Sequence, residues 1–278
     1  MQTPSLAALT IHPRNDLTPA APDGVYCLDT PDQIDPCKSS VIVIRNAIDF
    51  TREETQQLDD FMSQVPPSTN QWGKTIHRKE ATFGVQYKKY NYIPPPEDTW
   101  PTAVQKVMVY VDQIIGKWVD NSSRKRFVHG NLYPHGASGV PPHADDESEM
   151  EKGMPIFSFT LLNGEIKPRP FTIYRPQTAE ERAQELQTWE LKVETNRQAG
   201  KSGPNKPEQK PVPIANIVLN HGDLLIMQGE MQSHFKHGVE PAKPKKAFEQ
   251  ARRMNLTVRT AKSTDLPTHD QKRLKASD

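Results

Sequence analysis

The chain has 278 residues, with 35 Lys and Arg against 34 Asp and Glu, a formal net charge of +1. That length allows one substantial domain with tails, or at most two small ones. The balanced charge excludes a global electrostatic pull toward nucleic acid, so any such affinity must come from local patches.

The 26 prolines and a mean hydropathy of -0.74 predict long polar loops or tails around a modest core. No apolar run approaches the roughly 18 residues of a membrane span, and the N-terminus lacks a charged-then-apolar signal pattern. Cys27 and Cys37 match neither a disulfide framework nor a cysteine metal site, so cysteine usage fits a reducing compartment. The expectation is a soluble intracellular monomer with no membrane partner, nuclear in a eukaryote and otherwise cytoplasmic.

Residues 1–38 are rich in Pro, Asp, Thr and Ala without periodicity and read as a disordered arm. Order begins at the β-branched run Val41-Ile42-Val43-Ile44. Thr51 to Val65 follows as a helix, with Thr51 as N-cap and Glu54 completing a capping box. The segment from Trp72 to Tyr92 is polar, basic and aromatic, and its alternation around Ala81 to Tyr87 predicts a strand. Pro101 then opens a helix in which Val104, Val107, Met108, Val111, Ile115 and Trp118 recur at helical spacing.

Strands dominate after that: Arg126–Tyr133, Pro155–Leu162, Pro170–Tyr174, Ile214–Leu219, Asp223–Met227 and Arg253–Thr260. A charged helix interrupts them from Thr178 to about Gln198, with a second capping box in Thr178 and Glu181, followed by a Lys-, Pro- and Gly-rich loop from Gly200 to Pro213. From about Ala261 onward the chain is a polar tail. Helices first and many short strands after them give an α+β class. A strand-rich half carrying metal ligands points to a double-stranded β-helix, the jelly-roll arrangement.

Candidate metal ligands come from His143-Ala144-Asp145. Residues two apart on an extended chain face the same way, so His143 and Asp145 can hold one ion from one strand end. An isolated His-x-Asp is more often a pair of polar loop residues. A third ligand must come from elsewhere, and His237, in Phe235-Lys236-His237-Gly238-Val239, is the best candidate. Two histidines and a carboxylate make a facial triad that leaves positions on Fe(II) for co-substrate and oxygen, whereas zinc is more often closed by Cys or a third His.

The segment from Arg253 to Arg259 alternates strictly. Arg253, Asn255, Thr257 and Arg259 share one strand face, and Met254, Leu256 and Val258 the other. Two arginines on an inward face need anionic partners, and a dicarboxylate such as 2-oxoglutarate supplies two. The competing reading is an amphipathic edge strand with its polar face in solvent. Phe127, His129, Asn131 and Tyr133 repeat the pattern, and Asn131 and Tyr133 can donate hydrogen bonds to the same ligand.

Asn131-Leu132-Tyr133, His143-Ala144-Asp145, His237-Gly238 and Arg253-x-Asn255-x-Thr257-x-Arg259 resemble the AlkB family in order and spacing. Gly222-Asp223-Leu224-Leu225-Ile226-Met227 is similar too, and Arg78-Lys79-Glu80-Ala81-Thr82-Phe83-Gly84 resembles the strand opening that family's nucleotide-recognition lid, here residues 70–96. The resemblance covers about residues 40 to 260, giving a dioxygenase domain over 39–260 with N-terminal helices. It departs from the bacterial archetype in a longer insertion at 177–210.

The resemblance implies an Fe(II)- and 2-oxoglutarate-dependent oxygenase that hydroxylates N-alkyl groups of nucleic-acid bases, releasing an aldehyde. DNA is the favoured partner and RNA is possible. His143, Asp145 and His237 would bind iron, with His234 a lesser rival that lacks the following glycine. Arg253 and Tyr133 would hold the distal carboxylate of 2-oxoglutarate, Arg259 and Asn131 would lie near its other end, and Asn255 would support that network. Glu147 would face the base, Tyr90 and Tyr92 would stack on it, and Arg78 would touch a phosphate. Trp72 resembles the aromatic finger that fills the gap left by a flipped base. Alternative readings are the same chemistry on N6-methyladenine or 5-methylcytosine, a relative acting on protein or lipid, and an inactive nucleic-acid-binding module.

Overall fold

The structure is a computed structural model that describes residues 9–12, 14–29, 37–69, 73, 75–84, 93–115, 125–164, 168–241 and 252–262. In chain order the strands begin with β1 (Ile11–His12), β2 (Gly24–Cys27) and β3 (Ser39–Ile44). Helix α1 (Arg52–Gln64) follows, then β4 (Ser68–Thr69), β5 (Thr75–Ile76), β6 (Lys79–Phe83) and helix α2 (Thr102–Ile115). The second half holds β7 (Lys125–Tyr133), β8 (Val140–His143), β9 (Ile156–Leu162), β10 (Pro170–Arg175), α3 (Ala179–Gln198) and β11 (Val212–Val218). It ends with β12 (Leu224–Gly229), α4 (Met231–His234), β13 (Lys236–Val239) and β14 (Arg253–Ala261).

The strands form a jelly roll. An eight-stranded sheet has the order β1-β2-β3-β12-β9-β14-β7-β6, and a four-stranded sheet has the order β11-β10-β13-β8. Period-two alternation decides what each face of the large sheet buries. Ile42, Ile44, Leu224, Ile226, Phe157, Phe159, Met254, Leu256 and Val258 pack on one side with α1 and α2. Val41, Val43, Leu225 and Met227 point the other way and meet Phe171, Ile173, Ala215 and Ile217 of the small sheet. Burial on both faces explains why β3 reads as an unbroken apolar run.

Both capping boxes form. The Thr51 and Thr178 side chains accept from the backbone N–H of Glu54 and Glu181, whose carboxylates accept from the cap N–H in return. Gly222 turns the chain into β12 at φ +82, where a Cβ would lie 2.4 Å from the Ile48 carbonyl oxygen.

The structure corrects two expectations about the N-terminus. Residues 9–12 and 14–29, expected within a disordered arm, extend the large sheet: β2 pairs antiparallel with β3, and β1 pairs parallel with β2. Leu17, Ala21, Tyr26 and Leu28 are buried there, apolar residues too sparsely spaced to reveal a period. The two cysteines, read as reduced, are joined as Cys27–Cys37 with their Cα atoms 4.7 Å apart. The β2–β3 pairing sets Cys27 opposite Ser40, and that long-range register brings Cys37 alongside. Among the described residues, no helix is long and apolar enough to cross a membrane.

The charged insertion is a helical excursion between β10 and β11. Helix α3 buries none of its residues and packs against its own return loop, with Trp189 Nε1 donating to the Pro204 carbonyl at 2.9 Å.

Candidate metal centre and co-substrate pocket

The small sheet places both histidines. β13 runs antiparallel to β8 with His237 directly opposite His143, and their ring centroids are 4.4 Å apart. Gly238 permits that approach, since a Cβ there would lie 2.8 Å from the Val140 carbonyl oxygen. Phe171 stacks on the His237 ring at 5.3 Å, and His143 Nδ1 lies 3.0 Å from the Pro141 carbonyl. The remaining nitrogen of His143 thus faces Asp145, with Nε2 to Oδ1 at 3.6 Å, and His237 Nε2 lies 3.6 Å from Oδ2. Asp145 sits just past β8, where Gln232 Oε1 accepts from its backbone N–H at 2.9 Å.

One ligand atom from each of His143, Asp145 and His237 lies within 4.8 Å of the others, close enough to share one ion. Burial alone would raise the Asp145 carboxyl, but Arg259, 2.7 Å away, and the two imidazoles hold it far below the usual carboxylate range. Burial lowers His237 to about 3, with Asp145 opposing and His143 and Arg259 reinforcing the shift. Asp145 is therefore a carboxylate and His237 a neutral imidazole at neutral pH, the protonation states that a divalent metal needs. Asp145 Oδ2 is buried without a hydrogen-bond partner, as fits an atom in a coordination site. His234, the rival ligand, is exposed on α4 and lies 3.1 Å from Glu230 Oε2.

The large sheet supplies the anion pocket. β14 lies between β7 and β9, opposing Arg253 to Tyr133 and Leu162, and Asn255 to Asn131 and Thr160. All nine residues of β14 are buried, which removes the edge-strand alternative. Arg253 is 3 % exposed and donates from Nη2 to Thr160 Oγ1 at 3.0 Å. Its Nε and Nη1 are buried without a hydrogen-bond partner, as is Asn131 Oδ1. Burial lowers this guanidinium to about 10, still charged at neutral pH. A buried cation with two unanswered donors fits a carboxylate ligand. Asn255 is spent on the scaffold, donating to Ser158 Oγ at 2.7 Å and accepting from Thr257.

Both groups open onto one cavity of about 240 Å³, lined by the triad, Arg253, Tyr133 and Asn131. Glu147 lies at its wall with Oε2 3.7 Å from Arg259 Nη1. Arg78, expected to touch a phosphate, pairs with Glu80 at 2.7 Å, and its side chain, 16 % exposed, lines the same cavity. Trp72, Tyr90 and Tyr92 lie outside the described residues.

Three residues that the sequence reading gave no role stand at the site. Glu80 is buried between Arg78 and His129, whose Nε2 is 3.5 Å away, and both Glu80 and His129 line the cavity. The i, i+2 spacing of Arg78 and Glu80 is a signal that could have found the pair. Arg169 is buried beside Tyr133, its Cζ 5.4 Å from the ring centroid. A charged residue between Pro168 and Pro170 at a strand start gives little warning of that position.

The chain matches the 2OG-Fe(II) oxygenase superfamily over residues 39–259. It is 24% identical over 230 residues to the DNA oxidative demethylase ALKBH2 of Mus musculus, covering 80% of this chain and 79% of that one. It is 23% identical to the Homo sapiens protein of the same name, covering 80% and 72%. A prolyl hydroxylase structure from Trichoplax adhaerens, in complex with a hypoxia inducible factor peptide fragment, shares 15% identity over 84% of this chain and 86% of that one. Its TM-score of 0.42 is too low to bear on function. Fe(II), 2-oxoglutarate and oxygen are the reagents of the matched superfamily, and the His-Asp-His cluster and unanswered Arg253 donors fit them. With the superfamily match spanning most of the sequence, this chain belongs to the 2OG-Fe(II) oxygenases.

Proposed function

We propose that the protein is an AlkB-type oxidative demethylase of alkylated bases in DNA. The observation that carries this reading is the shared cavity. Its lining combines the metal triad and the Arg253 donors with the carboxylates of Glu80 and Glu147. Such carboxylates suit a second molecule bearing N–H donors, as adenine and cytosine do at their exocyclic amines. The likeness to two DNA oxidative demethylases over most of the chain supports the same reading.

His143, Asp145 and His237 would hold iron, while Arg253 and Tyr133 would hold the distal carboxylate of 2-oxoglutarate. Bound together, iron and 2-oxoglutarate supply oxygen activation: the co-substrate becomes succinate and carbon dioxide as one oxygen atom enters a substrate C–H bond. Arg259 keeps the Asp145 carboxylate ionised and oriented. Asn131 stands near the oxo-acid end of the co-substrate, and Asn255 fixes Thr257 and Ser158 around it. Glu147, at the wall beside the triad, accepts from the target base. Asp145 is 4 % exposed, so a base must leave its stack to present an alkyl carbon there. The hydroxylated N-alkyl carbon then collapses to an aldehyde and the repaired base.

The test is a panel of alkylated DNA and RNA oligonucleotides incubated with Fe(II), ascorbate and 2-oxoglutarate, with products weighed by mass spectrometry. Loss of alkyl mass from DNA bases is expected. Turnover of 2-oxoglutarate without change in any oligonucleotide would overturn the nucleic-acid reading and leave the oxygenase chemistry standing.

A further inference from the structure

Arg169 is an unexplained charge. It is 7 % exposed, and Nη1 donates to the backbone carbonyls of Gly136, Ser138 and Glu240. Its Nε and Nη2 are buried without a hydrogen-bond partner. No carboxylate of the described residues forms an ion pair with it within 4.0 Å, although a guanidinium so deeply placed ordinarily finds one. The carbonyl cup is built into the fold. Gly139 lets the 136–139 turn close on the chain after β13, because a Cβ there would lie 2.7 Å from the Val239 carbonyl oxygen. The cup aims the guanidinium at the face of the Tyr133 ring, 5.4 Å away.

Tyr133 in turn stands opposite Arg253 across the β7–β14 ladder. The charge of Arg169 reaches Arg253, whose guanidinium it depresses beyond the larger effect of burial. Two buried cations thus flank one tyrosine, and neither has an anionic partner among the described residues. Holding like charges together in a dry site is costly unless a ligand brings the compensating charge.

We propose that Arg169 is a second cationic determinant of the co-substrate pocket, which acts through Tyr133 to set the preference for a 2-oxo dicarboxylate over a 2-oxo monocarboxylate. This rests on Arg253 and Tyr133 being the co-substrate anchors. The flat guanidinium fixes the ring plane, and with it the phenol that meets the distal carboxylate. Its charge adds to the field that this carboxylate enters. Arg169 is accordingly a positioning residue and touches neither iron nor substrate.

The experiment is calorimetric titration of the full chain loaded with Mn(II), a redox-inert stand-in for Fe(II). The ligands are 2-oxoglutarate and 2-oxopentanoate, which has the same carbon chain without the distal carboxylate. Arg169→Met keeps the stem and removes the charge, while Arg169→Lys keeps the charge. In Arg169→Met, affinity for 2-oxoglutarate should fall about tenfold, the scale of one lost contact between charged groups, and that for 2-oxopentanoate should hold within about twofold. Arg169→Lys should stay within about threefold of wild type for both. The proposal is overturned if the Met variant weakens both acids equally, weakens neither, or is matched by the Lys variant in its loss. Should Arg169→Met fail to fold in an accompanying melt, Arg169→Gln, which keeps a donor to the carbonyl cup, carries the same comparison. Arg253→Met is the control. If it abolishes the dicarboxylate preference while Arg169→Met does not, the anchor assignment stands and the role of Arg169 falls. If Arg253→Met leaves the preference intact, both fall.

Discussion

Replacing Asp145 with alanine should remove two things at once, and the structure lets them be separated. The first is one of the three groups proposed to hold the metal. The second is the ion partner of Arg259, which is 7 % exposed and pairs with Asp145 at 2.7 Å. Breaking a buried pair by deleting one member costs about 3–5 kcal/mol, because the other charge stays in a poor solvent. Glu147, 3.7 Å from Arg259 on its other nitrogen, offers a partial substitute and places the cost near the lower end. About 3 kcal/mol is a large share of a stability of roughly 5–15 kcal/mol. With a urea slope of about 2–3 kcal/mol per molar, the midpoint should fall by about 1 M or more. The metal-ligand role by itself would leave the fold unaffected, so instability here is a consequence of the ion pair. The assay is urea unfolding followed by tryptophan fluorescence in chelator, with Mn(II) binding measured separately. The double variant Asp145→Ala/Arg259→Met should recover stability to within about 1 kcal/mol of wild type and still bind no metal. A double variant as unstable as the single one would refute the reasoning, since the cost would then lie in lost packing.

Arg253→Ala should raise the 2-oxoglutarate concentration needed for half-activity by two orders of magnitude or more, corresponding to about 3–5 kcal/mol; an unchanged requirement in steady-state kinetics excludes Arg253 as the carboxylate anchor. Tyr90→Ala, Tyr92→Ala and Trp72→Ala should each reduce oligonucleotide turnover without altering metal binding, at about 1–3 kcal/mol per lost stacking contact. Trp72→Ala should harm duplex turnover far more than single-strand turnover, and equal effects remove the wedge. The last prediction concerns acid. Burial alone would raise the Asp59 carboxyl, but hydrogen bonds from Arg252, Asn163 and Ser63 hold it below its ordinary value. A depressed folded-state value means its stabilisation is fully present above about pH 4 and is lost as pH falls through the folded value. Asp59→Asn should lower stability at pH 7 and flatten that acid limb in pH-dependent melts, whereas an unchanged limb would show that Asp59 does not drive it.

What the sequence made legible follows from how local each signal is. The capping boxes at Thr51 and Thr178 are four-residue rules and appear at the expected residues. Arg253 to Arg259 alternates strictly because β14 packs its apolar set against the helices and turns its polar set into the cavity. The N-terminal strands were hidden because β2 is only four residues long and its partner in the sheet is chosen by tertiary packing. The Cys27–Cys37 link depends on the same hairpin. Glu80 and His129 were hidden for a different reason: each lies on a strand whose neighbours carry charge or polarity for other purposes, and only the β6–β7 register joins them. Arg169 reaches Tyr133 from the opposite sheet, a meeting that no spacing within one strand encodes.

The excursion that carries α3 has a consequence for how the chain is threaded. β10 and β11 pair along their whole length, from Pro170 opposite Val218 to Arg175 opposite Val212, so the polypeptide leaves and re-enters the sheet at neighbouring points. Everything between is clamped at its base by a two-pronged Arg175–Glu181 contact and by Gln177, which meets Glu185 and Lys210. Closing a loop grows more costly only as the logarithm of its length, about 0.6 kcal/mol per doubling. The excursion therefore adds length at small entropic cost and leaves the ladder beneath it unchanged. Its turn at Gly200 and Lys201 is exposed and distant in the chain from every residue of the cavity. It is a natural seam: the polypeptide could be opened there or a reporter spliced in, with the jelly roll still closing around its cavity.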